Sequence, residues 1–209
     1  MEKSRSFCLY VALIYFCAVF SIEPDDVIKT EETKKSIKHG VYKLKIHIYP
    51  DPILRAHAEP VENINEDIQD LVDNMIKIMY STPTGIGLSA NQVGELKRII
   101  VFDLNPGEEG RKPAALINPE IVIGEGEITH EEACLSLIDF SAPITRIAQV
   151  KVRGVDRHGN PMDIEAEGLK AICLQHEIDH LDGTLIIDYI SSLKRALYKK
   201  RLKKKLEKT

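Results

Sequence analysis

One heptapeptide in the sequence has the residue types and spacing of a metal-dependent hydrolase. Residues 175–181 read QHEIDHL and contain the pattern H-E-x-x-H. On a helix, His176 and His180 are separated by a rise of about 6 Å and point the same way, which suits two imidazole ligands of one metal ion. Glu177 is then placed to act as a base for metal-bound water. Two histidines and a solvated glutamate on an ordinary polar helix face are the alternative interpretation.

A catalytic metal site of this kind needs a third protein ligand, and the residues alone leave its identity open. The extended pattern of the metzincins has a histidine where this chain has Ile186, and the only glutamate that follows is Glu207, inside a basic tail. The third ligand is therefore expected upstream. The candidates are Cys134, Cys173, His158, Glu165 and Glu167.

The two cysteines among these candidates differ in their sequence surroundings. Cys134 lies in a short polar-flanked segment outside any predicted helix, where a thiolate can be presented to a metal. Cys173 lies one turn before His176 but has apolar neighbours, which favours a buried core thiol. A buried thiol is also the alternative interpretation of Cys134.

Three motifs, in this order along the chain, resemble those of the peptide deformylase family. Residues 85–92, GIGLSANQ, resemble G-x-G-x-A-A-x-Q; residues 132–136, EACLS, resemble E-G-C-L-S; and residues 175–181 resemble Q-H-E-x-D-H-L. The resemblance extends over about residues 43 to 193. Ala133 replaces the glycine of the second motif, and residues 137–139 stand where many members have a Pro-Gly turn, but no ligand is lost.

The resemblance implies a hydrolase that removes the formyl group from the N-terminal formylmethionine of newly made polypeptides and releases formate. Cys134, His176 and His180 would hold one divalent metal, Fe²⁺ in the family and often Zn²⁺ or Ni²⁺ after purification. Metal-bound water would attack the formyl carbon, with Glu177 as general base. The side-chain amide of Gln92 and the backbone N–H of Leu135 would stabilise the oxyanion.

The resemblance also implies how the substrate is bound. The peptide is expected to lie extended against the segment around Gly87, as an added strand. Independently of the resemblance, the opposite charges of Glu132 and Arg146 predict an ion pair that fixes the segment that carries Cys134. The methionine side chain would lie beside Gly87 in an apolar pocket lined by Ile86, Ile172 and Cys173. Packing in the hydrophobic core is the alternative role of these three residues.

Two other functions remain as alternatives. The first is a zinc peptidase that uses H-E-x-x-H on ordinary peptide bonds, although the third ligand expected downstream is missing. The second is a binding protein with a deformylase-like fold that holds a metal without catalysis. The presence of Glu177 and Gln92 favours the enzyme, because a binding protein has no need of either residue.

The composition is that of one globular domain with appendages. The chain has 209 residues, of which 44% are hydrophobic and 29% are charged. These values exclude general disorder, collagen-like repeats and a multi-pass membrane protein. Two of the four cysteines, Cys8 and Cys17, lie in an apolar N-terminal run. The remaining pair is too small for a disulfide framework, which favours a reducing compartment.

Charge is distributed unevenly along the chain. The formal net charge is −4, which gives no overall basic field, so DNA is not an expected partner. From Lys194 to the end, however, nine basic residues accompany one acidic residue. Such a tail favours a polyanion, and ribosomal RNA fits a substrate that is still emerging from the ribosome. A solvated end helix is the alternative, and the domain is otherwise expected to be a monomer without membrane contact.

The first 40 residues decide the predicted compartment. Residues 7–20 are apolar, follow Lys3 and Arg5, and are shorter than the roughly 18 residues of a membrane-spanning helix. They are either the start of a targeting leader with a charged linker or the product of a start site placed too early, with Val41 as the true start. We predict a cytoplasmic protein with a catalytic domain over residues 41–193 and a basic helical tail over residues 194–209. A genuine leader would instead direct it to an organelle with bacterial-type ribosomes.

Hydrophobic periodicity predicts an α+β domain in which short antiparallel strands pack around a central metal-binding helix, with a C-terminal helix. Asn65 is predicted to cap a helix whose apolar face runs from Ile68 to Met79. Turns are predicted at residues 82–85, 105–107 and 157–160. Strands are predicted at residues 42–48, 98–104, 115–123, 149–156 and 162–167, and further helices at residues 168–181 and 190–208.

Overall fold

The computed structural model describes residues 44–82, 85–103 and 110–208. Within these ranges three helices and a five-stranded antiparallel sheet confirm the predicted α+β class. The helices are α1 (Glu66–Met79), α2 (Leu169–Leu181) and α3 (Ser192–Leu206), and the strands are β1 (Gly87–Ser89), β2 (Ile99–Phe102), β3 (Ala114–Ala133), β4 (Ser141–Val155) and β5 (Pro161–Glu167). None of these helices has the length and hydrophobicity that crossing a membrane requires.

The sheet follows chain order, β1-β2-β3-β4-β5, and strands β3 and β4 are longer than the sequence predicts. Strand β3 continues to Ala133, ten residues beyond the predicted end at Ile123, and β4 begins at Ser141 instead of residue 149. Most of the added residues of β3 are exposed. Their backbones pair with β4 from Glu125↔Gln149 to Ala133↔Ser141. The added part of β3 thus gives no alternation of apolar residues, whereas the added part of β4 buries Ala142, Ile144 and Arg146 at alternate positions, and the arginine interrupts the apolar pattern.

Helix α1 confirms the predicted cap and apolar face. The Asn65 side chain accepts a hydrogen bond from the backbone N–H of Ile68, which satisfies one of the free donors of the first turn. The apolar side chains on this face pack against β1 and β2 in one hydrophobic cluster. Helix α1 thus covers one face of the short strands. Its fully buried members are Val72, Met75 and Met79, and Ile68 and Leu71 are nearly so.

Helix α2 lies in the core and is fixed to the sheet through a polar side chain. Nine of its thirteen residues are buried, among them Leu174 and Leu181. The Gln175 amide accepts from the backbone N–H of Ile147 at 3.0 Å and donates to the backbone oxygen of the same residue at 2.9 Å. This paired contact with β4 orients the helix, so the faces that carry His176 and His180 are set relative to the sheet.

The predicted edge strand over residues 42–48 is wrong in its described part, because residues 44–48 join no strand. Two single hydrogen bonds replace the ladder. The backbone N–H of His47 donates to the Gln92 oxygen at 2.7 Å, and that of Tyr49 donates to the Ser136 oxygen at 2.9 Å. The segment therefore ties together two parts of the chain that carry predicted site residues.

Of the three predicted turns, one is confirmed, and the other two lie wholly or largely outside the described residues. The turn at residues 157–160 is confirmed as the hairpin between β4 and β5, where Gly159 takes a positive φ of 86°. The turn at residues 105–107, much of the one at 82–85 and the N-terminal leader lie outside the described residues. Helix α3 begins at Ser192, with the Ser191 hydroxyl accepting from the Lys194 N–H, two residues later than predicted.

Candidate metal centre

Three donor atoms from two distant parts of the chain meet beside the sheet. Cys134, His176 and His180 each offer one ligand atom, and these atoms lie within 4.8 Å of one another. The Cys134 sulfur lies 3.1 Å from His180 Nε2. Helix α2 supplies the two histidines, and Cys134 directly follows β3, so the long β3–β4 hairpin delivers the thiol. Among the described residues, this is the group of His, Cys, Asp and Glu side chains that is arranged to hold a metal.

The other upstream candidates lie elsewhere. Glu165 forms an exposed ion pair with Lys151, and Glu167 lies 3.5 Å from the amide of Gln149. His158 is part of the β4–β5 turn. Cys173 is buried, and burial together with the charge of Glu177 holds the pKa of its thiol well above the usual value. Its sulfur lies outside the group of donor atoms that Cys134, His176 and His180 form.

A buried carboxylate orients the first histidine. Glu132 Oε2 lies 2.8 Å from His176 Nδ1, which leaves Nε2 of the same ring for the cluster. Arg146 binds both oxygens of Glu132, at 2.7 and 3.0 Å, and this confirms the predicted ion pair. Arg146 also donates to Asp179 at 2.5 Å. Such outer hydrogen bonds fix the ring orientation of a metal-bound histidine and raise its basicity.

The two imidazoles differ in their electrostatic surroundings. Burial disfavours charge on His176, but hydrogen bonds to Cys134 and Glu132 outweigh it and hold the pKa of His176 well above its usual value. Burial and the adjacent His176 hold the pKa of His180 well below it. Both rings must be neutral to bind a metal ion, so a cation held here would displace the proton that these surroundings favour on His176.

The donor set therefore fits one divalent metal. One thiolate and two imidazoles suit several first-row ions, and a set of three protein donors leaves a coordination position open. His180 is almost fully buried, and its Nδ1 has no hydrogen-bond partner within the described ranges. This ring is thus held by packing and by its Nε2 contact.

Glu177 lies beside the cluster, in contact with the backbone of β1. It is 5% exposed, and burial raises the pKa of its carboxyl group to about 7. A Cβ atom at Gly87 would lie 2.5 Å from Glu177 Oε1 and 2.9 Å from the Cys173 sulfur. Position 87 therefore admits only glycine without displacing the carboxylate. Its second oxygen, Oε2, has no hydrogen-bond partner in the part of the chain that the structure describes.

Gln92 is held with its amide nitrogen toward the cysteine. Its oxygen accepts hydrogen bonds from the backbone N–H and the hydroxyl of Ser89, both at 3.0 Å. Its nitrogen donates to the Ser136 hydroxyl at 3.1 Å and faces the Cys134 sulfur at 3.7 Å. Neither serine was predicted as a site residue, although both lie within the family-like motifs at residues 85–92 and 132–136. Leu135, the other predicted oxyanion donor, follows Cys134 directly.

The structure brings three of the four predicted substrate-binding residues together. The Cys173 thiol donates to the Ile86 oxygen at 3.7 Å, and both residues adjoin Gly87. Strand β1 is the edge strand of the sheet and pairs with β2 on one side only. Ile172 is 3% exposed on α2, and its place in a methionine pocket stays a prediction.

Comparison with known proteins places this geometry in one family. The family model described as polypeptide deformylase matches residues 43–196. A peptide deformylase of Thermodesulfovibrio yellowstonii is 54% identical over 162 residues, which cover 78% of this chain and 98% of the relative. The crystal structure of a peptide deformylase from Legionella pneumophila is 40% identical, with a TM-score of 0.73 over 78% of this chain and 95% of its own. A deformylase from Ehrlichia chaffeensis in complex with actinonin is 39% identical, with a TM-score of 0.73 over 78% and 96%.

Proposed function

The chain belongs to the peptide deformylase family, and from this premise we propose that Cys134, His176 and His180 form the metal centre at which its reaction takes place. The protein is a metal-dependent hydrolase that removes the N-formyl group from newly made polypeptides. The observation that carries the proposal is the meeting of three donor atoms within 4.8 Å beside the buried carboxylate of Glu177.

The metal proposed for this centre is Fe²⁺, with Zn²⁺ and Ni²⁺ as alternatives. A divalent ion held here supplies Lewis-acid chemistry, activating water at neutral pH and polarising a carbonyl oxygen. The thiolate and the two imidazoles are compatible with all three ions. Glu132 supports any of them equally, because it acts on His176 and not on the ion.

We expect the Fe²⁺ form, prepared without oxygen, to release formate from a formyl-Met peptide with the highest kcat/KM, and to lose activity in air as the metal–thiolate centre oxidises. The measurement is formate release from protein loaded with each ion in turn, alongside the bound metal per chain. A Zn²⁺ form that exceeds the Fe²⁺ form at equal occupancy would overturn the assignment of iron. Absence of formate with every ion, at full occupancy, would contradict the proposed centre.

Glu177 is proposed as the general base and then the general acid. Its Oε1 is fixed against Gly87, whereas Oε2 has no partner among the described residues and is free to receive a proton. Oε2 takes the proton of the attacking water and returns it to the leaving amine. A cation held by the neighbouring ligands would lower the pKa of this carboxyl group from about 7 and would keep the base ionised at neutral pH.

The proposed oxyanion donors are the Gln92 amide and the Leu135 N–H. Ser89 fixes the oxygen of the Gln92 amide, so the nitrogen is the end that faces Cys134. This orientation is set before the substrate arrives, and such preorganised donors cost no reorganisation in the transition state. Leu135 lies next to Cys134 in the same loop.

The formylated peptide is proposed to bind along the free edge of β1. An extended chain that pairs there passes Gly87, where the missing side chain permits close approach. Ile86 and Cys173 lie against the same segment. With Ile172 they would line the pocket for the methionine side chain, which supplies apolar burial at the first residue of the substrate.

Helix α3 is proposed to contact ribosomal RNA. Its basic side chains are largely exposed, including those of Lys199, Lys203 and Lys204. The other residues of the chain carry a net negative charge, so a polyanion is attracted to the helix alone.

Replacing Lys199, Lys203 and Lys204 by glutamine should weaken ribosome binding and flatten its salt dependence. The slope of log K against log salt is expected to fall by about one unit for each lysine that contacts a phosphate. Sedimentation with ribosomes at several salt concentrations gives this slope. A variant with Lys77 and Lys97 replaced by glutamine loses two positive charges outside α3, and its slope should equal that of the parent. Equal slopes for the parent and the triple variant would remove the proposal.

The compartment proposed for the protein is the cytoplasm, with residues 41–193 as the catalytic domain. A thiolate that binds Fe²⁺ needs a reducing environment, which supports this assignment. The alternative is an organelle with bacterial-type ribosomes, reached through a genuine leader within residues 1–40. The domain is proposed to act as a monomer.

A further inference from the structure

The loop that carries the ligand Cys134 is covered by the C-terminal helix. We call residues 134–140, which join β3 to β4, the cysteine loop. Its Leu137 is 2% exposed and its Phe140 is 8% exposed. Both belong to a hydrophobic cluster that also contains Tyr198 and Leu202 of α3, and Cys134 packs against that cluster. Helix α3 therefore packs against the buried side chains of the cysteine loop.

Polar contacts from α3 hold the backbone of the cysteine loop at two successive carbonyl groups. The Tyr198 hydroxyl donates to the Ile138 oxygen at 3.2 Å, and the Arg201 guanidinium donates to the Asp139 oxygen at 2.5 Å. The Tyr198 ring lies 4.6 Å from the Phe140 ring, centroid to centroid. An ion pair of Lys205 with the Asp139 carboxylate, 2.6 Å, adds little because both groups are substantially exposed.

The backbone at Asp139 needs such support. Its φ is +50°, in the left-handed region that residues with a Cβ seldom adopt. The departure from the family-like Pro-Gly turn thus places a disfavoured conformation five residues after the metal-binding cysteine. The contact from Arg201 is made at this residue, whose left-handed backbone has a modest conformational cost because Asp tolerates this region better than most residues with a Cβ.

The loop is held on its other side as well, but not at these residues. The Leu137 N–H donates to the Cys134 oxygen at 3.0 Å and closes a turn, and the Ser136 oxygen accepts from the Tyr49 N–H at 2.9 Å. The first bond lies within the loop, and the second attaches Ser136 to the segment before the first helix, while the Cys134 side chain packs against the cluster that contains Tyr198 and Leu202. The second half of the loop, from residue 138 to residue 140, is the part that depends on α3.

We propose that α3 holds the cysteine loop in the shape that presents the Cys134 sulfur to His176 and His180, with Tyr198 and Arg201 as positioning residues for the metal centre. The inference rests on the proposed function, because it requires Cys134 to be a ligand. Its consequence is that this chain needs its C-terminal helix for metal retention, beyond any part that the helix plays in ribosome binding.

The test is the rate at which an excess of chelator removes Co²⁺ from the full chain. Co²⁺ is the probe because its bond to a thiolate gives a charge-transfer absorption that reports Cys134 directly. In the double variant Tyr198→Phe/Arg201→Gln, we expect release to be about tenfold faster than in the parent, with a weaker thiolate absorption. Replacing Arg201 by lysine instead of glutamine keeps the positive charge and a hydrogen-bond donor, so Co²⁺ release should be slower than in the double variant.

The matched control is Lys200→Gln, which removes one positive charge from the same helix, next to Arg201, at a side chain that makes no hydrogen bond or ion pair with residues 134–140 in the structure. Its release rate should equal that of the parent. If the double variant does not fold, Tyr198→Phe alone serves, because it removes one hydroxyl and keeps the ring packing.

The possible results separate the inference from the proposed function. Release rates of the variants within twofold of the parent, with an unchanged thiolate absorption, would overturn the inference and leave the metal centre intact. Equal acceleration in Lys200→Gln would also overturn it, since the effect would then be one of charge. Absence of thiolate absorption in the Co²⁺-loaded parent would show that Cys134 is not a ligand, so the proposed centre would fail and the inference with it.

Discussion

Replacing Glu177 by glutamine is expected to lower kcat for formate release by about 10³-fold while the metal stays bound. Glutamine has nearly the shape of glutamate and fills the same buried place against Gly87. It cannot accept the proton of the attacking water, and a positioned general base contributes on the order of 10²–10⁴-fold to such a reaction. The metal donors lie on other residues, so occupancy should be that of the parent.

The measurement is formate release from a formyl-Met peptide beside the metal content of each protein. A Glu177→Asp variant provides a control, because it keeps a carboxylate on a side chain that is one methylene shorter. It should retain more activity than the glutamine variant. Full activity of Glu177→Gln would exclude Glu177 as the base. Cleavage of internal peptide bonds by the parent would favour the peptidase alternative, and a metal-loaded parent without activity would favour the binding protein.

The second large effect is expected from a pair of cysteine variants. Cys134→Ala removes one of three donors, so metal affinity should fall by more than about 100-fold, since loss of an outer partner alone costs 10–100-fold. Cys173→Ala should keep the metal, because its neutral thiol lies outside the donor cluster. It should instead lower stability by about 1 kcal/mol through a small cavity in the core.

Metal titration of both variants, together with their thermal unfolding, checks this pair. Cys173 also adjoins Gly87 in the proposed peptide-binding segment, so a change of KM is expected for Cys173→Ala alone. Metal loss in Cys173→Ala with full occupancy in Cys134→Ala would reverse the assignment of the third ligand. Cys134→Ser, with a weaker oxygen donor of similar size, should fall between Cys134→Ala and the parent in affinity.

Local sequence patterns were enough to predict those features that depend on residues within one turn of a helix. The spacing of His176 and His180 follows from helix geometry, and α2 places both rings at the cluster. The Asn65 cap and the apolar face of α1 were predicted for the same reason. Four-residue relations of this kind are encoded directly in the sequence, because the helix itself brings the residues together.

The identity of the third metal ligand could not be predicted from a local pattern. The residues alone left Cys134 among five candidates, and only the family resemblance selected it. Cys134 lies 42 positions before His176, and the β3–β4 hairpin closes that distance. Beyond Ile123 the β3 side of this hairpin is mostly exposed and therefore carries no hydrophobic signal. Pairing between strands has no local signature where neither face is buried.

The sequence by itself thus determined the chemistry available to the protein: two histidines and a glutamate on one helix, a free cysteine, and a basic tail. The tertiary structure decided which cysteine joins the cluster, that Gly87 must lack a side chain beside Glu177, and that Ser89 and Ser136 orient the Gln92 amide. It also placed Tyr198 and Arg201, some sixty positions away, on the cysteine loop. These relations arise from packing between segments that are distant in the sequence. The free energy of such packing depends on the whole fold, so no periodic pattern of residues predicts it.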